Sequence, residues 1–109
     1  MDPGDAFAVL DLRVGRIMRA ERAEGARKPA IRLWIDFGPL GLRTSSAQLT
    51  VHYAPESLVD RQVVAAVNLG SRRIAGFESQ VLVLGLPDAN GAVVLIQPEQ
   101  QVPEGGRVF

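Results

Sequence analysis

The sequence contains no cysteine. This excludes disulfides, thiolate metal sites and a cysteine nucleophile, and it suits a reducing compartment. It has one histidine, His52. No Ser-His-Asp relay can be argued from a single imidazole beside Tyr53, and a metal centre needs several clustered ligands that the sequence does not group. Phosphate-loop and dinucleotide-binding glycine patterns are also missing. No apolar run approaches the roughly 20 residues of a membrane span. Asp2, Asp5 and Asp11 crowd a start that has no basic segment, unlike a secretory signal. A soluble cytoplasmic protein without cofactor or catalytic constellation is the expectation. Net charge is zero, so no strong global field draws nucleic acid.

What is present is a chain of 109 residues, 47% hydrophobic, which suits one domain over residues 1–109. A core of this size is self-sufficient but modest, and oligomerisation would strengthen it. The charges are unevenly placed. Residues 26–43 hold Arg27, Lys28, Arg32 and Arg43 against Asp36 alone. Residues 61–85 hold Arg61, Arg72 and Arg73 against Glu78. Residues 44–60 and 86–109 are each net acidic. Two locally basic stretches form a patch if the fold joins them, and are ordinary solvated charge if it does not. Lys28 is the only lysine; the other basic residues are arginine, whose planar fork suits phosphate.

The hydrophobic pattern is that of strands. Leu12 and Val14 alternate with Arg13, then the apolar parity slips around Gly15 and resumes at Ile17, which predicts a bulge or sharp bend at the glycine. Ile31, Leu33, Ile35 and Phe37 alternate without fault against Arg32, Trp34 and Asp36, the mark of a half-buried strand. Gly38-Pro39-Leu40-Gly41 reads as a turn. Residues 42–49 form a weaker strand interrupted by Ser45 and Ser46. Residues 54–58 suit a short helix with Pro55 in its first turn.

Residues 62–68 predict a strand buried on both faces. Residues 70–76 read as a basic loop, residues 81–86 as another buried strand, and residues 87–91 as a hairpin turn carrying Asn90-Gly91. Residues 92–96 return as a strand, and residues 5–10 are a candidate short helix. Helices and strands do not alternate, which argues against a parallel sheet. Five principal strands with a short helix between the third and fourth match an all-β, five-stranded OB-fold Greek-key barrel.

Two motifs carry a resemblance that runs over residues 7–109. Asp11-Leu12-Arg13-Val14-Gly15-Arg16-Ile17 resembles the first strand of the tRNA-binding domain family. Asn68-Leu69, continuing to Arg72-Arg73-Ile74-Ala75-Gly76 and Glu78-Ser79, resembles that family's second signature. The family includes domains appended to some methionyl-, tyrosyl- and phenylalanyl-tRNA synthetases, and free-standing dimers. Within it, three segments look like the CsaA type of export-related chaperone. They are Ala26-Arg27-Lys28-Pro29-Ala30, the stretch from Ile35-Asp36-Phe37 to Gln48-Leu49-Thr50, and Val81-Leu82-Val83-Leu84-Gly85 into Val94-Leu95-Ile96. The resemblance implies tRNA binding, a homodimer built through N- and C-terminal extensions, and a chaperone-like role with exported precursor polypeptides. An ATP-independent peptide-binding chaperone without an RNA role is the alternative. One departure stands out: Val81-Leu82 occupies the place of a Gly-Met pair in free-standing relatives, which removes a bare backbone and an adaptable apolar contact.

The candidate nucleic-acid contacts are Arg27, Lys28, Arg32, Arg43, Ser46, Asn68, Arg72, Arg73 and Ser79. The basic members would meet phosphate, which gives affinity without sequence information. Asn68 and Ser79 would orient the basic loop or touch nucleotide, with a purely structural bond an equal reading for Asn68. Ser45, Ser46 and Gln48 would line the binding face or be solvated. Trp34, on the outward parity, would stack a base, meet a partner subunit or pack under the terminal extensions, the last two being favoured.

Overall fold

The structure, a computed structural model, describes residues 1–25 and 27–109. Ala26, the first residue of one of the segments that resemble the CsaA type, lies outside the described residues. The fold is mostly β. Strands β1 (Leu12–Arg22), β2 (Ile31–Asp36), β3 (Leu42–Ala47), β4 (Gln62–Ala66) and β7 (Leu82–Val83) form one sheet in the order β3-β2-β1-β4-β7. All its ladders are antiparallel. The two sheet edges approach each other and nearly close a barrel. The amides of Gln80 and Val81 both donate to Thr44 O, at 2.8 and 3.1 Å, and Ser45 Oγ donates to Val81 O at 2.9 Å. This is the OB-type barrel that the strand order led us to expect.

Strict alternation on β2 decides the core. Ile31, Leu33, Ile35 and Phe37 are fully buried, and Ile17, Leu58, Val63 and Ala65 join them. Helix α2 (Pro55–Leu58) plugs the barrel with Leu58. Its first turn is closed by Ser57, whose Oγ accepts from Ala54 N and donates to Ala54 O. Helix α1 (Pro3–Val9) is capped by Asp2, whose Oδ1 accepts from Asp5 N at 2.9 Å, and it buries no residue. It is held from outside. Arg107 Nη2 donates to Ala8 O, and Asn68 Nδ2 donates to Val9 O.

Three sequence expectations need correction. The bulge of β1 lies between Ile17 and Arg19, at Met18, not at Gly15. Gly15 sits in regular strand, and Val14 is buried because the C-terminal segment covers its face: Val14 N donates to Gly106 O, and Gly105 N donates to Val14 O. Residues 70–76 are not a plain loop. They supply β5 (Arg72–Ile74), which pairs with β6 (Phe77–Ser79) through a two-residue turn. Ala75 and Gly76 both have positive φ, 49° and 78°, which matches the twist a tight hairpin demands. Residues 81–86 are not one buried strand either. The segment changes partner at Leu84, from β4 to a hairpin of β8 (Gly85–Pro87) with β9 (Val93–Leu95), and Leu82 and Leu86 are exposed. Among the described residues no helix is long and apolar enough to cross a membrane.

Candidate nucleic-acid interface

The outward face of β2 and β3 carries Arg32 opposite Ser46, Trp34 opposite Thr44, and Asp36 opposite Leu42. The β5–β6 hairpin folds over this face. Phe77 meets Trp34 edge-on at 5.4 Å between ring centroids, and Arg32 covers the Phe77 ring at 5.0 Å. Arg32 Nη2 also donates to Ala75 O at 3.1 Å. Thr44 Oγ1 donates to Glu78 O, and Ser46 N donates to Ser79 Oγ. Trp34 therefore packs beneath the hairpin, with Arg19 on its other side at 4.6 Å, rather than beneath the terminal extensions.

A groove runs along the line where the hairpin meets the barrel. Its larger arm, about 610 Å³, is bordered by Arg27, Lys28, Ser46, Gln48 and Ile74. Its smaller arm, about 260 Å³, is bordered by Leu69, Arg72, Ser79 and Leu82. The arms share Ser46 and Ile74, and no carboxylate lies among the described residues that line either one. Cross-strand register explains why Arg72 reaches this groove. Arg72 and Ile74 pair with Ser79 and Phe77, which face the barrel, whereas Arg73 pairs with Glu78 on the opposite face.

The fold thus brings together Arg27, Lys28, Ser46, Arg72 and Ser79. Arg27, Lys28 and Arg72 are exposed, and among the described residues none has a carboxylate partner. The other candidates are placed elsewhere. Arg32 is committed to the hairpin. Arg73 Nη1 turns back to Gly76 O at 2.7 Å. Arg43 stands opposite Ile35 on the inward parity, at the far end of β3. Asn68 is a clasp: its Oδ1 accepts from Asp11 N at 2.9 Å while its Nδ2 holds the end of α1. Ser45 is buried and satisfied within the barrel seam.

His52 lies 2.6 Å from Asp88 Oδ2, away from the groove, and this bond, before any other cause, holds the Asp88 carboxyl below its usual range. No group of three or more metal-ligating side chains occurs among the described residues. Sequence reasoning missed Leu69, Ile74 and Leu82 as groove residues. The signal was available: alternation through Arg72-Arg73-Ile74, then Ala-Gly, then Phe77-Glu78-Ser79 is a short hairpin pattern.

Comparison with known proteins identifies the family and the fold. Residues 12–107 match the family described as "Putative tRNA binding domain". The chain is 44% identical over 103 residues to a methionine–tRNA ligase of Methanothrix thermoacetophila, and 40% identical over 102 residues to one of Porphyromonas gingivalis. In both cases 94% of the chain aligns but only 15% of the ligase, so the chain spans a small part of these relatives. Among solved structures, chaperone CsaA from Bacillus anthracis superposes with a TM-score of 0.92 at 51% identity, covering 100% of this chain and 99% of that one. The CsaA chaperone protein of Picrophilus torridus gives 0.91 at 37% identity, with 100% of both chains covered. The chain belongs to the tRNA-binding domain family.

Proposed function

We propose that the chain is a non-catalytic, cytoplasmic tRNA-binding module that works as a CsaA-like homodimer. The observation that carries this reading is the groove between the β5–β6 hairpin and the barrel, bordered by Arg27 and Lys28 along one arm and Arg72 along the other, with no carboxylate among the described residues that line it. The net charge is zero, so affinity comes from this local field and is moderate. Arginine and lysine there meet phosphate, and each neutralised phosphate releases counterions, which gives a log–log salt slope of about −0.7 to −0.9 per contact. Replacing Arg27, Lys28 and Arg72 together by Ala should weaken tRNA binding and flatten the slope by about two to three units. Arg43→Ala, away from the groove, should change neither. Anisotropy titrations at several salt concentrations decide. Equal affinities and slopes in all three proteins would reduce the groove to a solvated face.

A chaperone role with precursor polypeptides is the second reading. It is supported by the 51% identity to a protein described as chaperone CsaA, and by the apolar residues left exposed around the barrel, among them Leu69, Leu82, Leu86 and Val94. No nucleotide-binding motif is present, so any holdase action would be independent of ATP. The protein should then slow aggregation of an unfolded client. No effect at several-fold excess over two unrelated clients rejects this role.

A further inference from the structure

Leu69, Leu82 and Ile74 are 56%, 54% and 36% exposed, yet all three border one small pocket. Large aliphatics grouped around a concavity usually mark a ligand. The floor between them is Ser46, Ser79 and Val81, and Arg72 stands at the rim. We infer that this smaller arm of the groove takes the base of a single unpaired nucleotide, clamped among Leu69, Ile74 and Leu82, with its flanking phosphates on Arg72 and Lys28. The inference rests on the tRNA-binding reading and adds the form of RNA that the groove selects.

The size of the pocket favours one ring system. At about 260 Å³ it lies below the range of about 300–1,000 Å³ that encloses drug-sized ligands. A run of stacked bases is not provided for. Single-strand platforms use free aromatic faces, whereas Trp34 and Phe77 pack edge-on against each other and each already carries an arginine over its ring, Arg19 and Arg32 respectively. The apolar walls suit the two faces of a base. The polar floor suits its edge: Ser46 Oγ makes no hydrogen bond among the described residues, and a hydroxyl both donates and accepts. Ser79 Oγ already accepts from Ser46 N, so it fixes the floor. A floor of hydroxyls, with no amide or carboxylate, reads the edge weakly and accepts any of the four bases. The cations that continue along the groove favour a nucleotide over an apolar peptide side chain.

The test uses two RNA hairpins of identical stem, one fully paired and one with a single unpaired nucleotide in the stem. The wild-type protein should bind the interrupted hairpin about tenfold more tightly, in the range that burying one base supplies. Leu82→Ala and Leu69→Ala, both at exposed positions, should erase most of that preference. Affinity for the paired hairpin should fall much less than that for the interrupted one, while the salt slope and the melting temperature stay unchanged. Equal wild-type affinity for the two RNAs, or a loss in Leu82→Ala that is the same for both, overturns the base pocket while the tRNA reading stands. Wild-type binding to neither hairpin nor to tRNA overturns both readings. An unfolded polypeptide that binds the wild type, loses affinity in Leu82→Ala and displaces neither RNA assigns the pocket to peptide instead.

Discussion

A methyl group built on Gly15 would stand 2.5 Å from Ile35 Cγ2 and 2.7 Å from Phe37 Cε1. The backbone there is ordinary strand, so the glycine is required by the neighbours that fill its missing side chain, not by its own torsions. Gly15→Ala should lower stability by about 1–3 kcal/mol through overpacking, read as a fall in the urea midpoint. An unchanged midpoint would mean that Ile35 and Phe37 yield without cost. Sequence cannot separate these two uses of glycine, because the atoms that press on Gly15 come from β2, 20 or so residues away. Arg107 was equally opaque: it looks like an isolated tail charge, but its guanidinium bonds Ala8 O and Leu10 O and lies 3.5 Å from Asp11. Glu104 makes a related tie between the C-terminal segment and β1. Its Oε1 accepts from Arg16 Nε at 2.6 Å, and this bond first of all depresses its carboxyl pKa below 4.5. The contribution is therefore complete above the unfolded value and is lost as pH falls through the lower folded one. Wild-type melting temperature should drop on acidification below about pH 4.5, and Glu104→Gln should show a shallower acid limb from a lower plateau. Parallel limbs for the two proteins would show that the carboxylate contributes nothing through its charge.

At the scale of elements, β2 could be read from sequence because its burial follows a period of two over seven residues. The β5–β6 hairpin left only a faint alternation in the sequence, because its strands have three residues each, and which face they turn to the barrel is set by what they land on. The same limit affected residues 81–86, where an unbroken apolar run conceals a change of partner: Leu84 N donates to Val64 O while Ile96 N donates to Leu84 O. The site was half legible for a related reason. The two basic stretches do meet, but which residues face the groove depends on parity, so Arg72 enters while Arg73 and Arg43 do not. The hairpin stays down through Phe77 against Trp34 and Arg32 over Phe77. Phe77→Ala should free it while the barrel core persists. Amide hydrogen exchange should accelerate in residues 72–79 and remain slow in β2 and β4, and tRNA affinity should fall because Arg72 is no longer held at the groove. Uniform acceleration across the barrel would show that Phe77 supports the whole fold instead.

For the whole molecule, the unresolved cost is apolar surface at the joined termini. Phe7 is 47% exposed, Val9 60% and Val102 38%, while Phe109 has no cover at all. Phe7, Val108 and Phe109 line one shallow concavity, and Val102, Val108 and Phe109 line the next. Helix α1 contributes nothing to the core, yet two separate clasps, from Arg107 and Asn68, keep it in place. A helix so held, with its apolar residues outward, is positioned to meet another surface. A patch of this kind costs solubility unless it is covered, and a barrel of 109 residues gains from a second core. The proposed homodimer would cover it with the same patch from a second copy, as an isologous two-fold interface requires. Sedimentation should find a dimer at micromolar concentration. Phe7→Glu, which places a charge in the patch without touching the barrel core, should shift the protein to monomer and lower its melting temperature, while the β2 and β4 amides stay protected. A stable wild-type monomer would reject the homodimer, whereas a Phe7→Glu protein that still sediments as a dimer would move the contact away from the termini and leave the exposed β8–β9 face, with Leu86 and Val94, as the surface to test next.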